Sequence, residues 1–443
     1  MNESNELNPS NLPASSEYGA FVGVDWGDQE HAVSLRAANG TVIERLTLQQ
    51  TPEALAQWVS ALRTRFPNQK IAIAVEQSRG PLLSGLTQYE HIVPFPVNPK
   101  SLARFREAIY PSRSKDDLRD ADLLLEFLLK HRDHLRPWQP DTVQTRQLAL
   151  LNEQRRHFVD FRTCLTNQLL AHLKMIFPQA IALVGGDLTS PMAADFLKKW
   201  PSLQEVQKVS PSDLRKFYYG HNSRSKDLIA ERLELTKNAV ALTTDPALLA
   251  AHSLAIQTLA SQLAALHPFI DKYDAQIAEL FAAHPDALIF DSLPGAGPTL
   301  APRLLTALGT DRARFPSAVQ LSCYTGIAPV TEQSGNSKWV HIRWSCPKFL
   351  RQSWHEFANC SIRFCPWARD CYDQYRKRNI AHHEAIRKLA FKWQRIVWRM
   401  WQNRQPYAEA YYEAALLKKR GLKTSATQHQ ADSLSGEQKI KNP

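Results

Sequence analysis

Residues 112–129 read SRSKDDLRDADLLLEFLL, with Asp116, Asp117, Asp120 and Asp122 crowded ahead of a run of leucines. A helix advances about 100° per residue, so Leu118, Ala121, Leu124, Leu125 and Leu128 fall on one apolar stripe. Asp117 lies within that stripe and Asp120 at its border, whereas Asp116 and Asp122 are expected to face water. An ionised carboxylate turned toward a core is costly unless a cation or a metal accompanies it. A salt bridge or a helix cap accounts for any single acid, and that is the expected reading of Asp116 and Asp122.

Upstream of this helix, AFVGVDWGDQEHAVSLRAANGTVIERLTL (20–48) reads as an apolar strand, a tight turn, an alternating strand, an Asn39-Gly40 hairpin signal and a third strand. TPEALAQWVSALRTRF (51–66) follows as a helix with a threonine cap and Glu53 in its first turn. KIAIAVEQS (70–78) is a buried strand ending in a carboxylate, and HIVPFPVNP (91–99) is a further extended piece. Strands in hairpins, then strands alternating with helices, predict an α/β domain with a mixed sheet flanked by helices. Asp25 and Glu76 each close an apolar strand, where a lone acid is unfavourable. As a set, Asp25, Glu76, Asp117 and Asp120 suit a hard divalent cation such as Mg²⁺, which takes oxygen ligands and needs several carboxylates. Two such ions ~4 Å apart can activate an attacking oxygen and stabilise a leaving one on a phosphodiester.

The charge balance points the same way. Among 443 residues, 54 Lys and Arg stand against 43 Asp and Glu, a formal +11 that favours a polyanionic partner, nucleic acid first. No apolar run reaches the ~18 residues a membrane span needs and the N-terminus is polar, so the expected location is cytoplasmic, with no membrane partner. The 6 cysteines form no CxxC pair, which favours buried thiols over a zinc ribbon or a disulfide framework. Cys360, Cys365 and Cys371 stand near His355, His382 and His383 at irregular spacing, a poor match to a metal site.

The length suggests two or three domains. Residues 1–17 and 421–443 read as disordered tails, 18–142 as the acidic α/β domain, 143–285 as a region of long helices, and 286–420 as a compact, mostly helical C-terminal domain. In the long helices Ile256, Leu259, Leu263, Leu266, Ile270, Tyr273, Ile277 and Leu280 alternate steps of three and four, the seam of a helical hairpin or a coiled coil. Pairing within the chain and dimerisation both account for that seam, and Pro268 can kink it.

In the C-terminal part, Gly295 and Gly297 of LPGAGPTLAPRLLTALGT (293–310) allow a tight turn that either offers backbone N–H groups to a phosphate or packs two helices. Ser334 lies in a polar turn followed by Lys338, His341, Arg343, Lys348 and Arg351. A turn serine is ordinarily only a turn residue; amid cations it suits attack on a phosphate. Lys115, Lys338, Arg343, Lys348 and Arg351 are candidate nucleic-acid contacts. Seven of the 11 tryptophans fall between Trp339 and Trp401, interleaved with Arg and Lys; helical spacing assigns most to a core and a minority to nucleic acid.

Taken in order, Asp25 in VGVDWG, Glu76 in IAIAVEQSRG, Asn98-Pro99 in VNP, and Asp117 with Asp120 in SKDDLRDA resemble the DEDD transposases of insertion-sequence family one-ten. The chain departs from that pattern at Asp116, where threonine is more usual, and at Gln77-Ser78-Arg79, where Ala-Thr-Gly is. LPGAGPTLAPRLLTALG, RFPSAVQLSCYTGIAPV and QSGNSK resemble the serine-containing C-terminal domain of the same enzymes, and Trp344 and Cys346 replace a more usual lysine and glycine. The resemblance implies an RNase H-like, RuvC-like fold for 18–142 with Asp25, Glu76, Asp117 and Asp120 on Mg²⁺, Mn²⁺ serving as substitute. It implies that Ser334, with Ser337 as fallback, attacks a DNA phosphate. It further implies a structured guide (bridge) RNA and a homodimer or homotetramer in which the acids of one subunit meet the serine of another. The rival readings are a Holliday-junction-type nuclease that uses the acids with water, a nucleotide-binding protein of the actin and sugar-kinase type, and a catalytically silent nucleic-acid binder. GVDWG resembles a kinase first phosphate loop, but no second Asp-Gly loop follows.

Overall fold

The computed structural model describes residues 17–76, 79–110 and 116–410, and the chain divides at Pro140 into two compact units. Apart from Glu17, both expected tails lie outside the described residues.

The first unit is built on a five-stranded sheet of β1 (Tyr18–Asp25), β2 (Glu30–Ala37), β3 (Glu44–Gln49), β4 (Lys70–Val75) and β5 (Ile92–Pro96), in the order β3-β2-β1-β4-β5. β1 pairs antiparallel with β2 and parallel with β4, so the sheet is mixed. The central strands are buried along almost their whole length, which explains their apolar runs. α1 (Pro52–Arg65), capped by the Thr51 hydroxyl accepting from Ala54 N–H, covers one face through Trp58, Val59 and Leu62. α2 (Pro81–Leu86) packs into the same layer. α3 (Pro99–Ile109) and α4 (Asp117–His131) cover the other face, where Leu102, Leu124 and Leu128 meet Phe21, Ala72 and Ala74. This architecture is compatible with a RuvC-like domain.

How α4 lies on the sheet decides where its acids go. A Cβ built on Gly23 would stand 2.1 Å from the Ala121 carbonyl oxygen and 2.4 Å from the Leu125 nitrogen, so only glycine lets α4 lie directly on β1. Just beyond the helix C-terminus, the Arg132 guanidinium stands 5.7 Å from the rings of Tyr18 and Phe21, early in β1. α4 therefore runs antiparallel to β1, and its first turns lie toward the Asp25 end.

Among the described residues, the second unit has helices and one hairpin as its regular elements. α5 (Val143–Ile176) and α11 (Pro246–Ala282) run side by side in opposite directions: Gln144 bonds the Leu280 carbonyl, Arg155 pairs with Asp274, and His172 meets His252. The expected seam is used within the chain. Ile256, Leu259, Leu263, Ile270 and Ile277 are buried, so they are not open to a second copy, and Pro268 sits inside a continuous helix. By length and composition α11 could cross a membrane; here its two ends contribute to two different cores, Ile256, Leu259 and Leu263 to one and Ile277 and Phe281 to the other. Between the long helices, α6 (Ala180–Leu183), α7 (Pro191–Lys199), α8 (Leu203–Gln207), α9 (Pro211–Gly220) and α10 (Lys226–Asn238) build one core with the C-terminal half of α5 and the N-terminal half of α11.

The opposite ends of α5 and α11 join a second core made by α12 (Ala287–Asp291), α13 (Gly297–Leu308), α14 (Ala318–Tyr324), α15 (Lys348–Phe364), α16 (Pro366–Lys377) and α17 (His382–Asn403). Trp354, Trp393 and Trp401 are fully buried there, as their helical spacing requires, while Trp339 and Trp344 are exposed. All six cysteines are free thiols.

Candidate active site

Asp25 ends β1, and Glu76 follows directly on β4. Val24 is the register partner of Val75 in this parallel pair, so Asp25 and Glu76 leave adjacent strands at the same edge. Neighbouring strands lie about 4.8 Å apart, which makes the two acids neighbours by construction. The turn after Asp25 is held by His31: the Gly27 N–H donates to Nδ1 at 3.2 Å, and Nε2 faces the Gln50 side-chain oxygen. Burial keeps that imidazole below its usual pKa, hence neutral, and its partners require the proton on Nε2.

The α4 acids divide differently from the expectation based on the apolar stripe. Asp120 is buried, whereas Asp117 is exposed, because it is the first residue of α4 and Leu118 beside it is itself 40% exposed. The first turn thus projects past the covered part of the sheet, a placement that periodicity does not encode. Asp122 makes the salt bridge expected of it, with Arg45 at 2.8 Å, and in addition accepts from the buried Ser34 hydroxyl at 2.6 Å, tying α4 to β2 and β3. Asp116 precedes the helix and lies 3.8 Å from Arg119, an ion pair as expected.

Asp120 has a cation that the sequence reading missed. Arg106 of α3 reaches its carboxylate at 2.7 Å. No local pattern in SLARFREAIY marks Arg106 as that partner. Among the described residues, no three His, Cys, Asp or Glu side chains converge closely enough to hold a metal ion. The architecture gathers the strand-end acids and the first turns of α4 at one edge, but the carboxylates are not drawn into a ligand cage. All four are oxygen donors, the ligand type a hard divalent ion takes, and Asp120 would have to leave Arg106 to serve as one.

In the second unit, Ser334 closes β6 (Val330–Ser334) and is the register partner of Ser337, which opens β7 (Ser337–His341). Gly335, at φ 55°, and Asn336 form the two-residue turn between them. Directly opposed residues of an antiparallel pair project from the same face, so both candidate nucleophiles stand side by side. Both are exposed. By the same alternation Glu332, Trp339 and His341 share that face; the Trp339 and His341 rings lie 4.5 Å apart, and His341 lies 3.6 Å from Glu332.

The remaining candidates separate. Lys338 is exposed on the opposite hairpin face, and Lys348 and Arg351 line a groove beside the hairpin. Arg343 turns inward, with Nη2 toward the Cys323 sulfur at 3.7 Å. Gly295 packs against α15, where a Cβ would stand 3.1 Å from the Cys360 backbone, so that position serves helix packing, whereas the space at Gly297 is open. Lys115 lies outside the described residues.

The first unit carries a mixed sheet with Asp25 and Glu76 at one strand edge, the helical second unit displays Ser334 at a hairpin turn, and comparison with known families places this chain in the DEDD transposase class. Residues 22–178 match the DEDD transposase family model for IS110, and residues 287–373 match the model described as the transposase IS116/IS110/IS902 family. The chain belongs to the IS110 family of transposases. It is similar to the mini-circle putative transposase for IS117 of Streptomyces coelicolor, 27% identical over 90% of this chain and 97% of that protein. It is also similar to the IS110 43.6 kDa protein of the same organism, at 24% over 85% of this chain and 92% of the relative. The IS116 44.8 kDa protein of Streptomyces clavuligerus matches at 25% over 88% of this chain and 96% of its own length. The protein is a transposase, and DNA is its partner.

Proposed function

We infer that this transposase joins DNA through a transient phosphoserine bond on Ser334, assisted by a divalent-metal site on Asp25, Glu76, Asp117 and Asp120. The Ser334 Oγ attacks a DNA phosphorus; a P–O bond to serine forms while the bond to one strand breaks, and that strand departs as a free hydroxyl. Attack by the hydroxyl of an incoming strand then reverses the step and restores the serine, so no external energy source is needed. Bound Mg²⁺ or Mn²⁺ would supply Lewis acidity at the phosphate oxygens. Asp25 and Glu76 would anchor the ligand set from the rigid sheet, and Asp120 would join it on release from Arg106.

The observation that carries this reading is the β1–β4 register together with the direction of α4, which brings all four acids to one end of the first unit. Exposure of Ser334 at a hairpin tip supports its access to a strand. The formal +11 charge suits polyanionic partners, and beside DNA we assign a structured guide RNA, which the resemblance to this family implies and which would pair with the DNA. The working form is a homodimer or homotetramer, assembled through surfaces other than the buried α11 seam. Sequencing the nucleic acids that co-purify with the protein tests the RNA assignment. A single structured RNA species is expected; recovery of DNA alone refutes it.

A further inference from the structure

Beside the hairpin, Trp344, Lys348, Arg351, His355, His383 and Arg387 line a groove of about 530 Å³. Its size falls within the ~300–1,000 Å³ of small-ligand sites. Three permanent cations enter it from α15 and α17, and its acid, Glu356, is already neutralised by Arg303 at 2.6 Å and Arg156 at 3.4 Å. At the mouth the Trp344 ring is 69% exposed, with the Arg351 guanidinium 5.7 Å from its centroid. The His355 and His383 rings lie 5.6 Å apart, His383 exposed and His355 half-buried, and burial keeps His355 below its usual pKa, hence neutral.

An exposed indole beside clustered cations is expensive to leave in water and suits one kind of ligand. The cations fit phosphate, while the ring face fits a base, and a base is free to stack only when it is unpaired. A duplex hides its base faces and would use the cations alone. We propose that this groove holds an unpaired nucleotide, its base stacked on Trp344 and its phosphates held by Lys348, Arg351 and Arg387. The strand is DNA exposed during exchange or a loop of RNA, which share this chemistry. The inference rests on the reading of the chain as a nucleic-acid-joining enzyme, but it concerns how a strand is held, not how it is cut.

The test is fluorescence anisotropy of the full chain with labelled single-stranded DNA, single-stranded RNA and a blunt DNA duplex of equal length. Trp344→Ala should weaken single-strand binding by roughly 5- to 150-fold, the range base–aromatic stacking gives, with duplex binding changed less than twofold. Trp344→Phe should restore most of the loss. Arg387→Gln should flatten the salt dependence by about one phosphate contact. The tighter single-strand arm names the strand. Unchanged single-strand binding in Trp344→Ala, or an equal loss on the duplex, overturns the proposal. A Ser334→Ala chain assayed in parallel separates the two readings: loss of the covalent adduct with the Trp344 effect intact bears on the serine alone.

Discussion

Arg106 holds the buried carboxylate of Asp120 at 2.7 Å, across the gap between α3 and α4. The pair settles how an acid survives under a helix on an apolar sheet: the cation comes from the same chain. Removing one member of a buried pair leaves the other uncompensated, at a cost of about 3–5 kcal/mol. Arg106→Ala should lower the melting temperature accordingly, while Arg106→Leu combined with Asp120→Asn should cost less than Arg106→Ala alone. If Asp120 is a metal ligand, Mn²⁺ should stabilise Arg106→Ala more than it stabilises the parent chain. Equal Mn²⁺ shifts in calorimetry would rule out Asp120 as a metal ligand.

Gly23 sets the height of α4 above the sheet. Gly23→Ala places a methyl group against helix backbone, which cannot rotate aside, and overpacking of this kind costs roughly 1–3 kcal/mol or more. The variant should melt earlier and show a weakened Asp122–Ser34 contact, read as faster amide exchange at the start of α4. A melt indistinguishable from the parent would contradict the close helix–strand approach.

His31 links acidity to the Asp25 turn. Its folded pKa lies below the ordinary value, so the folded state resists the proton that the unfolded chain takes up. Its contribution is therefore intact above about pH 6.5 and is lost as pH falls through the lower folded value. Protonation also cancels the Nδ1 acceptor used by Gly27. Melts between pH 7.5 and 5 should show a loss of stability that is smaller in His31→Asn; a parallel loss in that variant would place the effect on His91, His284 or His355, which burial shifts the same way.

Much of this was readable in the residues, and the parts that were not share a cause. Apolar runs ending in Asp25 and Glu76 mark the two strand ends, and the polar residues at Ser334 mark a turn, because both signals are local; that the turn is the tip of a hairpin appears only in the structure. Periodicity also identifies the seam of α11, although it does not say which helix covers it. The stripe of α4 misassigned Asp117, since helical phase fixes which side a residue takes but not where the sheet beneath it stops. Arg106 and the groove at Trp344 depend on residues brought together only by packing, and no short pattern contains them.

The central claim is a covalent protein–DNA bond made by a serine with the help of four acids. Denaturing gel electrophoresis after reaction with end-labelled DNA in Mg²⁺ measures it directly. The account predicts a shifted protein–DNA band in the parent and in Ser337→Ala, and its disappearance in Ser334→Ala and Asp25→Asn. Hydrolysed DNA ends with no shifted band, or a band that survives Ser334→Ala, would contradict it.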